Sequence, residues 1–600
     1  MSTAYVPQQP QPQPTPAPPT APPATSPHAS EATRLLCAGT YLDAGYRHRV
    51  IDELHLNGQR FVAPSLGLDA ARVLAHALRA RRQEIQWAGA VLGLWLVGAA
   101  LTQGLLAVFL APSLYLAIGR WIRGRASQAP LYRVVPAFFL RWWGRITFTL
   151  LLLFTVLAAF GAGNDDSSYH SYGSYGSYDW SGSSGSYGPY GRPGGLGWSD
   201  LLVLGSTGLA HVFKPWQAWA TLVLLALIAL CLAGQRGQFA RVLAAELSPQ
   251  RFPDAANDPA ERGESHRFQW LKQRIRTEQH APLIMYHEAR PFCGAGEAYP
   301  DWVLAVELKP DALKKQQPIS NRLVLEKIRP LVERLRLPAA YAGAGVRDRL
   351  RWLEIDECVF LPAEGLLRRE DAPYDPQAFD EHRAHAVEEG AEKRRHFLRI
   401  RVGGWEEELV VTVFVRIHTQ GGMLMLEMAP HVLLPVRPDF KEADRAAHRF
   451  RNNNVLGKAV WAVTRVPGSL AGSLVVLGRS VVYGWRLLTG GYAGALPDGP
   501  ALSVRELGSA EAGSQFQEMD VSRYLTSIQD RVANGVRAAL AEAGYQTGEF
   551  VQQINNISNG GVHIGRVEGS TFAVGENSSA SSSTGGPEPQ KGTGNDDHSG

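Results

Sequence analysis

The sequence predicts an α-helical transmembrane region of about four spans joined to a cytoplasmic α+β domain that contains an antiparallel β-meander. Three observations predict it. The longest apolar runs fall between Trp87 and Gly234, and segments of this kind can cross a hydrocarbon core of about 30 Å. Arginines crowd one flank of these runs, while acidic residues and a Ser/Tyr/Gly repeat follow the other, which is the asymmetry that orients a membrane protein. Three Val/Ile/Leu-rich stretches between His396 and Leu434 are separated by glycine pairs, the pattern of strands joined by tight turns.

Composition narrows the function classes. A chain of 600 residues is too long for one hydrophobic core and has room for several domains. The net charge of +4 and the lack of a basic segment interleaved with stacking aromatics give no argument for nucleic acid. Cys37, Cys231, Cys293 and Cys358 are scattered without a CxxC pair, so neither a disulfide framework nor a zinc site is expected. No charged n-region precedes an apolar h-region at the N-terminus, so insertion is expected to be directed by internal segments.

The first half divides as follows. Residues 1–39 are a Pro-rich tail that cannot bury apolar area and is expected to be disordered. Residues 40–86 form a cytoplasmic helical segment, in which Asp69 caps a helix through Val73, Leu74, Ala77 and Leu78. Residues 87–125 are a membrane hairpin or one long span, because Trp87 to Ile118 carries no charged side chain. One helix of that length would reach about 48 Å; a hairpin turning at Thr102-Gln103-Gly104 would have arms of about 16 residues. Arg79, Arg81 and Arg82 before the run and Arg120, Arg123 and Arg125 after it favour the hairpin.

Residues 126–163 are a pre-membrane helix and a span from Ile146 to Ala162, anchored by Arg141, Trp142, Trp143 and Arg145. Residues 164–198 are an external Ser/Tyr/Gly-rich loop. Residues 199–235 contain a further span from Trp216 to Ala233, with Leu201 to Phe213 apolar but short. Four spans fit these runs, and three is the main alternative. The positive-inside bias places the region after Gln235 in the cytoplasm.

Residues 236–450 form the cytoplasmic α+β domain. Pro282 to Tyr286 and Trp302 to Leu308 read as strands enclosing the Gly/Pro-rich turn PFCGAGEAYPD. Ser320 caps a helix with Leu323, Val324, Ile328, Leu331, Val332 and Leu335 on one face and a kink at Pro330. Arg351 to Leu361 is another strand. Then comes the meander, with Gly403-Gly404 and Gly421-Gly422 supplying the positive φ of two hairpin turns. The helices before it should cover its buried face.

Residues 451–495 are amphipathic basic helices. Lys458, Arg465, Arg479 and Arg486 are spaced by multiples of seven, which on one helix keeps them near a single face. Glycines and Pro467 argue for two pieces. Such helices suit the inner membrane surface; a core-packed helical hairpin and a further transmembrane span are the alternatives. Residues 496–575 hold an amphipathic helix, Gln517 to Glu542, with Met519, Val521, Leu525, Ile528, Val532, Val536 and Leu540 on its apolar side, and then a β-prone motif. Residues 576–600 are a polar tail expected to be disordered.

No catalytic, cofactor-binding or metal site is read from the sequence. His382 and His385, near Asp380, Glu381 and His396, lack the spacing of a zinc-binding helix. CGAGEA and AGAGVRD are glycine turns without the lysine of a phosphate-binding loop. His287-Glu288 lies near Cys293 with no identifiable third group.

The segment INNISNGGVHIGRVEGSTFAVG (554–575) combines β-formers with Asn, Ser and Gly. Two foldings fit it, an intramolecular hairpin and in-register stacking between chains. Val562, His563, Ile564 and Gly565 resemble the four-residue core of RHIM-type amyloid signalling motifs, with His563 where glutamine is usual. The segments RHRVIDELHLNGQRFVAPSLGLDAARVLAHA (47–77), MYHEARPFCGAGEAYPDWVLAVEL (285–308) and ELVVTVFVRIHTQGGMLMLE (408–427) resemble uncharacterised multi-pass membrane proteins of actinobacteria. That resemblance implies a plasma-membrane location and supplies no catalytic residues.

The expectation is an integral membrane anchor or signalling scaffold that presents its α+β domain to the cytoplasm. Its partners are the lipid bilayer and either other proteins or further copies of itself. A transporter or channel subunit, and an enzyme with an unrecognised site, are the alternatives.

Overall fold

Ser30 and Asp69 start the first two long helical stretches by accepting hydrogen bonds from the amides of Thr33 and Arg72, which satisfies donors that a helix start leaves unpaired. Helices α1 (Glu31–Leu42) and α2 (Ala44–Ile51) pack on the N-terminal part of α3 (Ala70–Leu101). The computed structural model describes residues 26–65, 67–124, 130–160, 214–262, 265–338, 350, 352–390, 392–405, 408–490, 494–548 and 550–551. The Ser/Tyr/Gly loop, Leu201 to Phe213, most of the Pro-rich tail, the motif Val562, His563, Ile564 and Gly565, and residues 576–600 lie outside the described residues.

Helix α3 ends at Leu101, where Gln103 (φ 51°) and Gly104 (φ 97°) reverse the chain. A 3₁₀ turn at Leu106–Phe109 then leads into α4 (Leu110–Arg123), so the uncharged run from Trp87 to Ile118 is a helical hairpin. Gly98 lets it close, since a Cβ there would lie 2.5 Å from Leu106 and 3.0 Å from Leu224. Helices α5 (Leu131–Ala159) and α6 (Pro215–Arg241) complete this part of the bundle. Its core contains Val91, Trp95, Leu106, Phe109, Phe148 and Ile228, while Leu96, Phe138, Leu153 and Leu230 face outward.

A second core joins the bundle to the rest of the chain. Leu36, Tyr46, Leu74, Phe239, Phe252 and Phe440 are buried together, drawing on α1, α2, α3 and the end of α6. Helix α7 (His266–His280) docks on α3 and leads into the sheet.

The sheet is curled and mixed rather than a plain antiparallel meander. Its strands are β1 (Leu283–Tyr286), β2 (Glu297–Ala298), β3 (Trp302–Glu307), β4 (Leu353–Pro362), β5 (Arg395–Gly404), β6 (Leu409–Gln420) and β7 (Met423–Leu433). They run β1-β4-β5-β6-β7, with both β2 and β3 on the outer edge of β7. Strand β1 is parallel to β4 and the other pairings are antiparallel.

Two departures from the sequence reading have physical causes. The segments of β1 and β3 do not enclose a turn; they lie at opposite edges, and the chain between them crosses one face of the sheet. At the β6–β7 turn Gly421 (φ 61°) and Gly422 (φ 82°) take positive φ, but Gly403 and Gly404 pair within the ladder and Trp405 (φ 52°) takes the bend. Gly404 is small for another reason, because the Tyr524 hydroxyl packs 3.2 Å from where its Cβ would be. Pro430, with no N–H to give, sits between the β2 and β3 pairings, where its carbonyl alone accepts the amide of Tyr299 at 2.9 Å.

Helix α8 (Asn321–Glu333), capped by Ser320, covers one sheet face, while α9 (Pro376–Glu388) packs at β4 and β5. Helix α10 (Ala443–Asn452) returns the chain to the bundle, and α11 (Val455–Val463) and α12 (Val466–Leu488) form a helical hairpin within it. Trp95 Nε1 donates to Ser469 Oγ at 3.2 Å and the Arg81 guanidinium lies 3.4 Å over the Tyr483 ring, so α12 runs antiparallel to α3. Among the described residues, five helices are long and apolar enough to cross a membrane: Ala70–Leu101, Leu106–Arg123, Leu131–Ala159, Pro215–Glu246 and Val466–Leu488. The fifth arises from the stretch read as surface-lying basic helices.

Helix α13 (Gln515–Glu542) lies beside α8 on the sheet, so a following helix shares the cover expected from preceding ones. Val521, Leu525, Ile528, Val532, Val536 and Leu540 are buried there, whereas Met519 is exposed, because two residues before Val521 is the opposite face of the helix. At about 1.5–3 kcal/mol for each fully buried Val, Leu or Ile, this contact outweighs exposed ion pairs such as Arg523–Asp520, worth about 0–1 kcal/mol each.

Candidate functional site: the strap across the sheet

Residues His287 to Gly296 form a strap that crosses the sheet from β1 to the β7 edge. Phe292 explains why it adheres. Its ring lies 5.4 Å from Phe360, 5.6 Å from Phe397, 4.7 Å from Phe414 and 4.7 Å from His431, centre to centre, distances at which aromatic rings add to area burial. Gly294 and Gly296 both have φ near 101°, a region that only glycine enters freely. A Cβ on Gly294 would collide with the Pro64 carbonyl, and one on Gly296 with the Val432 carbonyl.

Three distant segments meet at this strap. Glu506, in the one-turn helix Val504–Leu507, accepts from the amides of Gly294 at 2.7 Å and Gly296 at 3.1 Å through one carboxylate oxygen, while Arg290 reaches the other at 3.3 Å. Ser65 and Ser503 hydroxyls are 3.4 Å apart. Glu53 accepts the amides of Ala501 and Leu502 at 3.0 and 3.3 Å. Beside this junction lies a cleft of about 1110 Å³ lined by Phe292, Cys293, Tyr299, His431, Leu433 and Glu506, among others.

The electrostatics of the cleft are those of buried, restrained groups. Burial pushes the Glu506 carboxyl above its ordinary value, although the two glycine amides and Arg290 oppose this. Burial, reinforced by the Glu506 charge, pushes the Cys293 thiol up to about 12. Burial holds His431 below the usual imidazole value, with its Nδ1 3.3 Å from the Ala429 carbonyl. A thiol becomes a nucleophile when a base or cation favours the thiolate, and here the neighbouring carboxylate does the reverse. The cleft is walled in part by aromatic rings and rimmed by polar groups.

The residues singled out in the sequence disperse. His287 faces Asp498 at 3.7 Å and Glu288 pairs with Lys393 at 3.3 Å, so neither joins Cys293. His385 bonds to Glu389 and His396 to Glu357, on separate elements. The helix break at Thr464–Arg465 puts Lys458 on α11, where it donates to the Arg451 carbonyl at 2.9 Å. Arg465 lies over the Trp461 ring at 4.3 Å, Arg479 is exposed on α12, and Arg486 is exposed near Asp52. No sequence signal pointed to Glu506, whose partners are more than two hundred residues away; the alternating glycines of the strap were the one available hint.

The region that supplies Glu506, His431 and the phenylalanines of the sheet has relatives. Residues 301–570 match the family model of the AbeC-like domain. No curated protein and no solved structure matches the chain. The AbeC-like region takes in β3 to β7 and helices α8 to α13, including the bundle hairpin α11–α12. It leaves out β1, β2 and the strap. The cleft thus lies on a seam, with the AbeC-like sheet below and the preceding chain folded over it.

Proposed function

We propose that this chain is an integral membrane anchor whose α+β domain, carrying the AbeC-like region, is held against the arginine-rich, cytoplasmic face of the plasma membrane as a scaffold for protein partners or further copies of itself. The observation that carries the reading is the way the chain alternates between its two parts. After the sheet it returns to the bundle as α11–α12, and only then supplies α13 to the sheet. A domain built this way is fixed in orientation, not hung on a linker. The apolar outer surface of the bundle and the restrained thiol, imidazole and carboxyl at the cleft favour anchoring and holding over catalysis. The tail motif Val562 to Gly565 is proposed as the self-association element.

Topology reporters inserted in residues 164–198 and fused to the C-terminus of the full chain test the sidedness. The loop reporter should be active outside and the C-terminal one inside. Affinity capture of the full chain from solubilised membranes should then recover stoichiometric partners or a second copy. Recovery of the intact chain as a soluble monomer without detergent, or turnover of a metabolite by the purified chain, would overturn the reading.

A further inference from the structure

Four arginines from four separate segments meet where α12 joins the bundle. Arg120 lies at the end of α4, Arg141 within α5, Arg236 near the end of α6, and Arg465 at the start of α12. Two glycines make the approach possible. A Cβ on Gly468 would collide with the Arg120 guanidinium, and one on Gly119 would lie 2.8 Å from Arg141 Cγ. Arg465 is held over the Trp461 ring at 4.3 Å, a cation–π contact that fixes the guanidinium without neutralising it.

The charges that bear on Arg120 are those of Arg141 and Arg465, and the charge that bears on Arg236 is that of Arg465. Among the described residues no carboxylate pairs with any of the four. By contrast, Arg34, Arg72, Arg276 and Arg399 each have a carboxylate partner. Like charges gathered at the edge of an apolar bundle repel one another unless an anion from outside sits among them.

We propose that these four arginines form a binding site for the phosphate of one anionic phospholipid headgroup. Guanidinium groups match phosphate oxygens in charge and geometry, and basic pockets between membrane helices hold such headgroups. A lipid rather than a soluble phosphate is the occupant because apolar side chains border the cluster. Trp121, Phe138, Trp142 and Leu474 are all exposed on the helices that carry or adjoin it, giving acyl chains a surface to follow. The site deepens the membrane-anchor reading and requires only that the bundle lie in a bilayer.

The test uses the full chain in nanodiscs of phosphatidylcholine alone or with phosphatidylglycerol, read by thermal unfolding and by native mass spectrometry of retained lipid. Wild type should unfold at a higher temperature with phosphatidylglycerol and retain one such lipid. Arg120→Gln and Arg465→Gln should cut retention by about tenfold, as expected for losing one charge-assisted contact. Because removing one charge relieves repulsion, both variants should unfold at or above the wild-type temperature in phosphatidylcholine and below it with phosphatidylglycerol. A variant that merely folds badly would be lower in both. Arg479→Gln, on α12 but outside the cluster, should behave as wild type.

No gain for wild type with phosphatidylglycerol, or equal loss in Arg479→Gln, would overturn the site. So would an equal gain from inorganic phosphate added to phosphatidylcholine discs, since the occupant would then be a soluble anion. Each of these failures leaves the membrane anchor standing, which falls only if the full chain is soluble without detergent.

Discussion

The Glu506 carboxylate sits 2.7 Å from the backbone nitrogen of Gly294 and, through the same oxygen, 3.1 Å from that of Gly296. Replacing Glu506 by Gln keeps an acceptor for both amides; replacing it by Ala leaves two buried donors unpaired. The first should change stability by less than about 1 kcal/mol near neutral pH, and the second should lower it by about 2–4 kcal/mol. Chemical denaturation of the detergent-solubilised chain measures both. Because burial raises the Glu506 value above its ordinary one, its contribution is present below the ordinary glutamate value and is lost as pH rises through the folded value. Glu506→Gln should flatten that part of the stability profile, and an unchanged profile would refute the assignment.

Gly294 itself gives a stricter test. Its φ of 101° and the Pro64 carbonyl where a Cβ would go combine backbone strain with a collision. Gly294→Ala should cost about 3 kcal/mol or more and make the strap cleavable under limited proteolysis, whereas Gly365→Ala, equally positive in φ at 98° but facing open space, should cost less. Equal losses would mean that the contact with Pro64 is not made.

At the junction of bundle and domain, Asp258 is the carboxylate on which two fully buried side chains, Arg72 and His76, converge. It accepts from Arg72 Nε and Nη2 at 3.0 and 2.8 Å and faces His76 Nε2 at 3.0 Å. Burial opposes its ionisation, but His76, the Ala260 amide and Arg72 together hold it well below the ordinary aspartate value. Its stabilisation is therefore present above the ordinary value and lost as pH falls through the folded one. Asp258→Ala should cost about 3–5 kcal/mol by stranding buried positive charge, and thermal unfolding should show the loss. A variant as stable as wild type would mean that the network contributes little.

The thiols offer a chemical readout. Cys37, Cys293 and Cys358 are buried, and burial pushes Cys293 and Cys358 up to about 12 and Cys37 well above its ordinary value. Native protein treated with N-ethylmaleimide should be modified slowly at every thiol, including the half-buried Cys231 inside the apolar run of α6, and rapidly at all four sites after unfolding. Rapid native labelling of Cys293 would instead favour an enzymatic reading of the cleft.

What the sequence disclosed follows the range of the forces involved. The hairpin turn at Thr102-Gln103-Gly104 was legible because local charge flanks and a glycine mark it. The strands β4 to β7 and the stripe of α13 were legible because periodicity over ten or more residues reports one buried face. The strap was not, because a Gly/Pro-rich stretch between two short strands looks the same whether it turns back or crosses a sheet. Phe292 decides between them only when Phe360, Phe397 and Phe414 are already assembled. Glu506 and the Arg120–Arg465 grouping were invisible for the same reason: their partners are set by tertiary packing between segments hundreds of residues apart.

The return of the chain to the bundle between β7 and α13 has a consequence for biogenesis. During synthesis all seven strands leave the ribosome before the α11–α12 hairpin, and domains generally form from the N-terminal side first. The sheet face that α13 later covers, with Val411, Val413 and Val415 on it, stays open until that hairpin has been placed. On the membrane-anchor reading proposed above, the closing of the α+β domain follows the placing of that hairpin. A chain stalled before residue 515 would present a β surface covered only in part, by α8.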